Sequence, residues 1–479
     1  MLTTLVGWLV LLASLAVFAA IGLRQRPDRD LDDFLTARGS QTAGPLALSF
    51  FASGLGAWIL FAPPEIGALA GIDAVVGYGL AAAAPFVVYA LVGPRLRRIV
   101  PSGQALTEFL RIRFGRGFAG YVSLVSVLYM AVFLTAELVA VAGIAEILAG
   151  VPRIGTILAV AVVTLAYTTY GGLRASLRTD RWQGWLVLAL VALAGVAIVS
   201  GLDSPGTTWR DSGLLGVDRP GIEAAITLVI AVTAANLLHQ GYWQRVWSAS
   251  DDQALRRGAL VGAAATVPVV LVVGAFGILA AGAGAAEVPA LSVFALTAEL
   301  PDVIVIGVMG LGVALVASSV DTLENALVSL VAAERPATTD LRGARVLTVL
   351  IMVPVTGVAL VAGSVLQLFL IADLLAAAIV VPSLLGLWRR ATGAAALAGG
   401  IAGLVGAFVG GLVERGDLAG AVDAVTFADT VPTLPPFLGA LLGSAGVAIL
   451  VSLLSSPSGD LDSLEERLPR RTPTGAGSR

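Results

Sequence analysis

Residues 49–65 read Ser49-Phe-Phe-Ala-Ser-Gly-Leu-Gly-Ala-Trp-Ile-Leu-Phe-Ala-Pro-Pro-Glu65. The stretch is apolar enough to lie in a membrane. Yet it holds two glycines that weaken a helix, Gly54 and Gly56, two prolines without amide donors, Pro63 and Pro64, and the carboxylate of Glu65. In lipid an unsatisfied backbone group costs several kcal/mol, so a helix is interrupted only where the freed groups line a cavity or bind something. The combination points to a discontinuous helix whose open carbonyls can coordinate a cation. A proline kink with small residues for close helix packing is the other reading of the same residues.

The surroundings support a membrane setting. Of 479 residues, 57% are hydrophobic and 13% charged, where a soluble domain carries about a quarter charged. Apolar runs long enough to cross the hydrocarbon core fall near 3–23, 43–70, 74–98, 118–149, 153–172, 181–203, 220–248, 258–283, 302–333, 343–363, 366–388, 391–413 and 434–456. This predicts an all-α membrane protein of about thirteen transmembrane helices. With the N-terminus outside and the C-terminus inside, 25 of the 29 basic residues, all Arg, fall on the cytoplasmic side, as the positive-inside rule requires. The first run has no basic residue before it and Arg after it, so it reads as a retained helix rather than a cleaved signal. Residues 102–116 read as an amphipathic helix on the cytoplasmic surface, or as a solvated connector. The last stretch, 457–479, is too polar to bury and reads as a disordered cytoplasmic tail.

Composition also excludes chemistry. Cysteine is absent and His239 is the single histidine, which removes disulfides, thiol catalysis and His- or Cys-rich metal sites and argues against a Ser-His-Asp hydrolase. No enzyme, cofactor or transition metal is expected.

The polar residues inside the spans mark a candidate site. The seventh span carries Asn236, His239, Gln240, Gly241, Tyr242, Trp243 and Gln244. That is more polar capacity than lipid tolerates, although the aromatics also suit an interfacial belt. Segments 54–57 and 235–241 are expected to be bent and to face each other near the midplane. In the ninth span Ser318, Asp321, Thr322 and Asn325 share one helical stripe beside Ser319 and Glu324. Intramembrane acids are costly and mark an ion or substrate path. Glu137 and Asp373 are further such acids with no partner evident in the sequence. No Arg falls mid-span, so the interior is expected to lean negative.

Three stretches resemble the solute:sodium symporter family: Tyr167-Thr-Thr-Tyr-Gly-Gly-Leu-Arg-Ala-Ser-Leu-Arg-Thr-Asp-Arg-Trp-Gln183, Gln244-Arg-Val-Trp-Ser-Ala-Ser-Asp-Asp, and Ala317-Ser-Ser-Val-Asp-Thr. Thr107-Glu-Phe-Leu-x-x-Arg-Phe-Gly115 is similar to that family's cytoplasmic connector. The resemblance implies a five-plus-five inverted repeat with broken helices. It would comprise residues 1–42 as an accessory helix and loop, 43–203 as the first repeat, 204–388 as a connector and the second repeat, and 389–456 as accessory helices. It also implies a sodium site made of the carbonyls of Ala52, Leu55 and Leu315 with the hydroxyls of Ser318 and Ser319, and a candidate second cation site at Asp180, Ser318, Asp321 and Thr322.

The function implied is secondary active transport by alternating access in the cytoplasmic (inner) membrane, with sodium driving symport of a small neutral, zwitterionic or cationic solute. The partners are solute, sodium ion and lipid, with no nucleic acid. Solute-binding candidates are Gly56, Phe61, Glu65, Asn236, His239, Gln240 and Asp373. A solute-sensing membrane module working with a separate signalling partner is the alternative.

Overall fold

The structure is a computed structural model that describes residues 2–24, 30–297, 300–334, 340–362, 365–428 and 432–456. The expected tail at 457–479 lies outside the described residues. The helices are α1 (Thr4–Leu23), α2 (Leu31–Thr36), α3 (Ala43–Gly54), α4 (Ala62–Ile99), α5 (Leu106–Phe114), α6 (Arg116–Ala149), α7 (Arg153–Gly201), α8 (Pro205–Asp211) and α9 (Arg219–Leu238). They continue as α10 (Gln240–Ser248), α11 (Asp252–Gly282), α12 (Ser292–Thr297), α13 (Asp302–Glu334), α14 (Leu341–Ala359), α15 (Val365–Leu384), α16 (Gly393–Arg415), α17 (Leu418–Thr426) and α18 (Leu434–Leu454). Among the described residues there is no strand, only a single bridge between Gln41 and Ala249. Among the described residues eleven helices are long and apolar enough to cross a membrane.

Two of the eleven are hairpins. At 38 and 49 residues, α4 and α7 would measure about 57 and about 74 Å if straight, far more than a bilayer needs. Each contains one glycine in the left-handed half of backbone space, Gly71 at φ 74° and Gly172 at φ 56°, which side-chain-bearing residues rarely enter. A Cβ on Gly67 would lie 3.2 Å from Val75 Cγ2, although eight residues of straight helix rise about 12 Å. In α7, Tyr167 and Thr179 both hydrogen-bond Asp321, although a straight helix would hold them about 18 Å apart. The chain therefore doubles back at both glycines. The expected span boundaries at 70/74 and 172/181 fall on these turns.

The bundle is organised around α13, in which every residue from 311 to 330 is buried. It packs against α1, α3, α6, α7, α10 and α14. The outer helices expose large apolar side chains, such as Leu5 and Leu9 on α1 and Leu91 on α4, as a lipid-facing surface does. The stretch 102–116 is helical in α5 and is more tightly held than a solvated connector. Glu108 accepts hydrogen bonds from the amides of Gln104 and Ala105. Arg113 donates to the carbonyls of Gly386 and Trp388 beyond α15.

Helix α4 lies against α11 at glycines. A Cβ on Gly277 would fall 1.8 Å from the Pro64 carbonyl oxygen, and one on Gly67 would fall 2.2 Å from that of Gly274. Small residues let backbones approach where lipid provides no hydrophobic drive for association. Gly277→Ala is expected to lower stability by about 1–3 kcal/mol, the usual cost of overpacking. Gly310→Ala, on α13 with nothing within 4 Å of its added carbon, should be neutral. Thermal unfolding of the detergent-solubilised variants checks the contrast, and equal melting temperatures would refute it.

Candidate functional site

Two helix breaks meet inside the bundle. The first follows α3. Leu55 (φ −112°, ψ 94°) and Gly56 (φ −86°, ψ −173°) are extended before a 3-10 turn at Ala57–Leu60 leads into α4. The amide of Ala57 donates to Glu137 Oε2 from α6 at 2.8 Å, so a carboxylate from a neighbouring helix closes the break. Gly56 permits this approach, since a Cβ there would lie 1.9 Å from Glu137 Oε1 and 2.7 Å from Ser319 Oγ. The second break follows α9, where His239 (φ −73°, ψ 105°) separates α9 from α10 and its Nδ1 accepts from the Gly241 amide at 3.1 Å. The breaks touch, because the Tyr242 hydroxyl donates to the Ser53 carbonyl at 3.3 Å.

The residues expected to hold sodium divide around this point. Ala52, Leu55 and Leu315 are buried, and the Ala52 carbonyl already accepts from the Leu55 amide at 3.3 Å. Ser319 faces Gly56, and its hydroxyl is buried without a partner. Ser318, turned about 100° further around α13, donates instead to Asp180 Oδ1 at 2.8 Å.

Asp180 belongs to a buried ion pair. Its Oδ2 lies 2.7 Å from Arg245 Nη2, and both side chains are fully buried. Arg245 also donates to Ser49 Oγ (2.8 Å), the Gly241 carbonyl (2.8 Å) and Thr322 Oγ1 (3.0 Å). One guanidinium thus ties together α3, α7, α10 and α13. The cation that meets Asp180 and Thr322 here is the protein's own, which corrects the expectation that no Arg enters the interior. Asp321 faces away from it and accepts from Ser176 (2.6 Å), Tyr167 (2.8 Å) and Thr179 (3.0 Å) of α7. A 3.3 Å contact between Ser176 and Thr322 links the two acids.

A small cavity of about 30 Å³ lies beside the breaks. Trp58, Tyr78, Tyr129, Phe133, Phe369, Val232, Asn236 and Asp373 line it. The walls are stacked or edge-on aromatic pairs: Trp58 on Tyr78 at 5.5 Å, and Phe133 on Phe369 at 4.7 Å between ring centroids. Of the expected solute-binding residues the structure brings Asn236 and Asp373 into this lining. His239 stands behind it, its ring 5.8 Å from that of Phe133. Phe61 packs on Phe294, and Gln240 bonds the Gln104 carbonyl and Ser329. Gly56, in the first break, and Glu65, half-buried in the first turn of α4, do not line the cavity. Sequence reasoning missed the five aromatics. They come from four separate segments, and aromatic residues in apolar runs read as packing.

Removing one partner of a buried ion pair leaves an uncompensated charge and costs about 3–5 kcal/mol. Asp180→Asn or Arg245→Met alone is therefore expected to destabilise by that amount, and the double variant by clearly less than the sum. Thermal denaturation of the four proteins of this double-mutant cycle checks it, and simple additivity would refute the pairing.

Comparison with known proteins agrees with this architecture. The profile of the Sodium:solute symporter family matches residues 34–206. The spermidine transporter DUR31 of Candida albicans is 33% identical over 392 residues, covering 80% of this chain and 75% of that protein. The urea active transporter of Saccharomyces cerevisiae is 22% identical over 289 residues, 54% of this chain and 39% of that longer protein. Among solved structures, a Na+-coupled sialic acid symporter in a substrate-bound, outward-open state superposes with a TM-score of 0.75 at 17% identity, covering 94% of this chain and 98% of that one. A nucleobase-cation-symport-1 family transporter in a closed conformation gives 0.58 at 14% identity, covering 91% and 98%. These two likenesses are of fold. With one third of its residues identical to a transporter across four fifths of its length, the chain belongs to the sodium:solute symporter family.

Proposed function

We propose that this multi-pass membrane transporter couples the inward movement of sodium to symport of a small organic cation, an amine, by alternating access. The observation that carries the solute class is the cavity, whose aromatic walls enclose Asp373. Among the described residues Asp373 pairs with no Arg, and it is 8% exposed. Aromatic faces attract ammonium groups, at about 0.5–2 kcal/mol each, and a buried carboxylate without a counter-ion is costly until a cation reaches it. A zwitterion would also need a donor for its own carboxylate. The Asn236 amide is engaged with the Val232 carbonyl at 2.8 Å, and Arg245 is committed to Asp180. A neutral solute would leave Asp373 uncompensated. Of the two relatives, the more similar is named for spermidine, a polyamine.

Alternating access fits the same geometry. About 30 Å³ holds roughly two waters, so the surrounding helices must part before a solute fits, and the breaks beside the cavity provide the hinges. Counting α4 and α7 as hairpins adds two crossings to the eleven long helices. We take the chain to cross the cytoplasmic membrane thirteen times, N-terminus outside, with residues 43–203 and 204–388 as the two repeats. The coupling ion is assigned to the α3 break, among the carbonyls of Ala52, Leu55 and Leu315 and the Ser319 hydroxyl.

Proteoliposomes containing the protein should accumulate labelled spermidine under an inward sodium gradient, and should not when potassium replaces sodium. Asp373→Asn should weaken apparent amine affinity at least about tenfold, equivalent to about 1.4 kcal/mol. Uptake that ignores sodium, or an Asp373→Asn variant with unchanged affinity, would refute the proposal.

A further inference from the structure

The resemblance to sodium symporters provides neutral oxygens for the ion but no charged ligand, and the structure contains a candidate. We propose that Glu137, from α6, supplies that charge, its Oε1 binding the coupling sodium ion together with Ser319 Oγ in the notch beside Gly56. The inference rests on the sodium-coupled reading above and deepens it.

Three observations carry the assignment. First, the Glu137 carboxylate faces the backbone amides of Ala57 and Trp58. Oε2 accepts from the Ala57 amide, whereas Oε1 is buried with no partner. Second, the Ser319 hydroxyl, from a different helix, is also buried and unpartnered, and leaving such a group unsatisfied carries a desolvation cost. Third, both orphan oxygens lie within 2.7 Å of one point, the position a Cβ on Gly56 would take. The two oxygens come this close to each other because residue 56 has no side chain. Oxygens of carboxylate, hydroxyl and backbone carbonyl type are the ligands hard cations take. Glu137 forms no ion pair within the described residues, so an ion beside Oε1 would meet a carboxylate whose charge is not already matched. Arg245, the buried guanidinium of the interior, is already engaged by Asp180, Ser49, Thr322 and Gly241.

The placement also accounts for coupling. Glu137 Oε2 holds the amide that opens the Ala57–Leu60 turn, and the next residue, Trp58, is a wall of the aromatic cavity. An ion drawn to Oε1 fixes the carboxylate, the carboxylate fixes the turn, and the turn sets the indole against which the amine packs.

The test is a sodium titration of the purified full-length protein, followed by thermal stability in potassium-balanced buffer without solute. Sodium should stabilise the wild type in proportion to site occupancy. Glu137→Gln keeps an oxygen for the Ala57 amide and removes the charge, so half-maximal stabilisation should need at least tenfold more sodium. Ser319→Ala, which deletes one hydroxyl, should shift the curve in the same direction and serves if Glu137→Gln does not fold. Asp373→Asn, which alters neither Glu137 nor Ser319, should still respond to sodium while losing amine-dependent stabilisation. A Glu137→Gln sodium curve that superimposes on the wild type would overturn the assignment to Glu137, and a Ser319→Ala curve that does so would remove Ser319 from the site. A wild type indifferent to sodium would overturn the sodium-coupled reading itself.

Discussion

Inside the hydrocarbon of a bilayer, a backbone N–H or C=O freed by a helix break has only protein to bond to. That constraint explains why so many polar and aromatic side chains crowd the centre of this bundle. At the α3 break Glu137 takes the Ala57 amide and Tyr242 bonds the Ser53 carbonyl. At the α9 break His239 takes the Gly241 amide, and the Trp243 indole bonds the Leu237 carbonyl at 2.9 Å. Tyr89 bonds the Asn236 carbonyl at 2.6 Å, and Arg245 bonds that of Gly241. Each break is answered by a side chain from another element or from the next turn. The interruptions can therefore persist without water, and the cavity between them can stay mainly apolar.

The same requirement governs the buried charges. A pair of ions taken from water into an apolar interior is stabilising only when its remaining hydrogen-bond capacity is met. Asp180 and Arg245 meet it through Ser49, Ser318, Thr322 and the Gly241 carbonyl. The arrangement joins four helices at one point on the side of α13 that faces α7 and α10. Among the described residues Asp373 and Glu137 have no Arg partner, and on this difference rests the proposal that these two acids meet an incoming cation.

The sequence made the spans legible because composition and Arg placement are coarse signals that survive errors of several residues. The breaks were legible because Gly54, Gly56 and the polar run at 236–244 contradict an uninterrupted lipid-facing helix. Arg245 was not. It lies six residues beyond the His239 break, where an apolar run gives way to polar residues, and a sequence cannot show that α10 continues into the interior with every residue buried. The aromatic lining was equally hidden, since Trp58, Tyr78, Tyr129, Phe133 and Phe369 are brought together only by tertiary packing. Gln240 was misleading for the opposite reason. A buried amide beside a helix break suggests a ligand contact, but its donors are used to tie α10 to the Gln104 carbonyl. Ser318 and Ser319 show a finer limit. The family resemblance gave both hydroxyls to one ion, whereas here Ser318 donates to Asp180 and Ser319 faces Gly56.

That divergence matters for how the parts work together. Ser318 is bonded to the Asp180–Arg245 pair, and Ser319 faces Glu137 and the break that carries Trp58. The two serines are consecutive on a helix whose residues 311–330 are all buried, so the backbone between them has no room to deform independently. Any rotation of α13 that moves Ser319 relative to Gly56 must also move Ser318 relative to Asp180. The hydroxyl that faces the proposed ion and the network that ties α3, α7 and α10 to α13 are thus mounted on one rigid element, and a charge arriving beside Gly56 acts on a helix that also holds the buried ion pair.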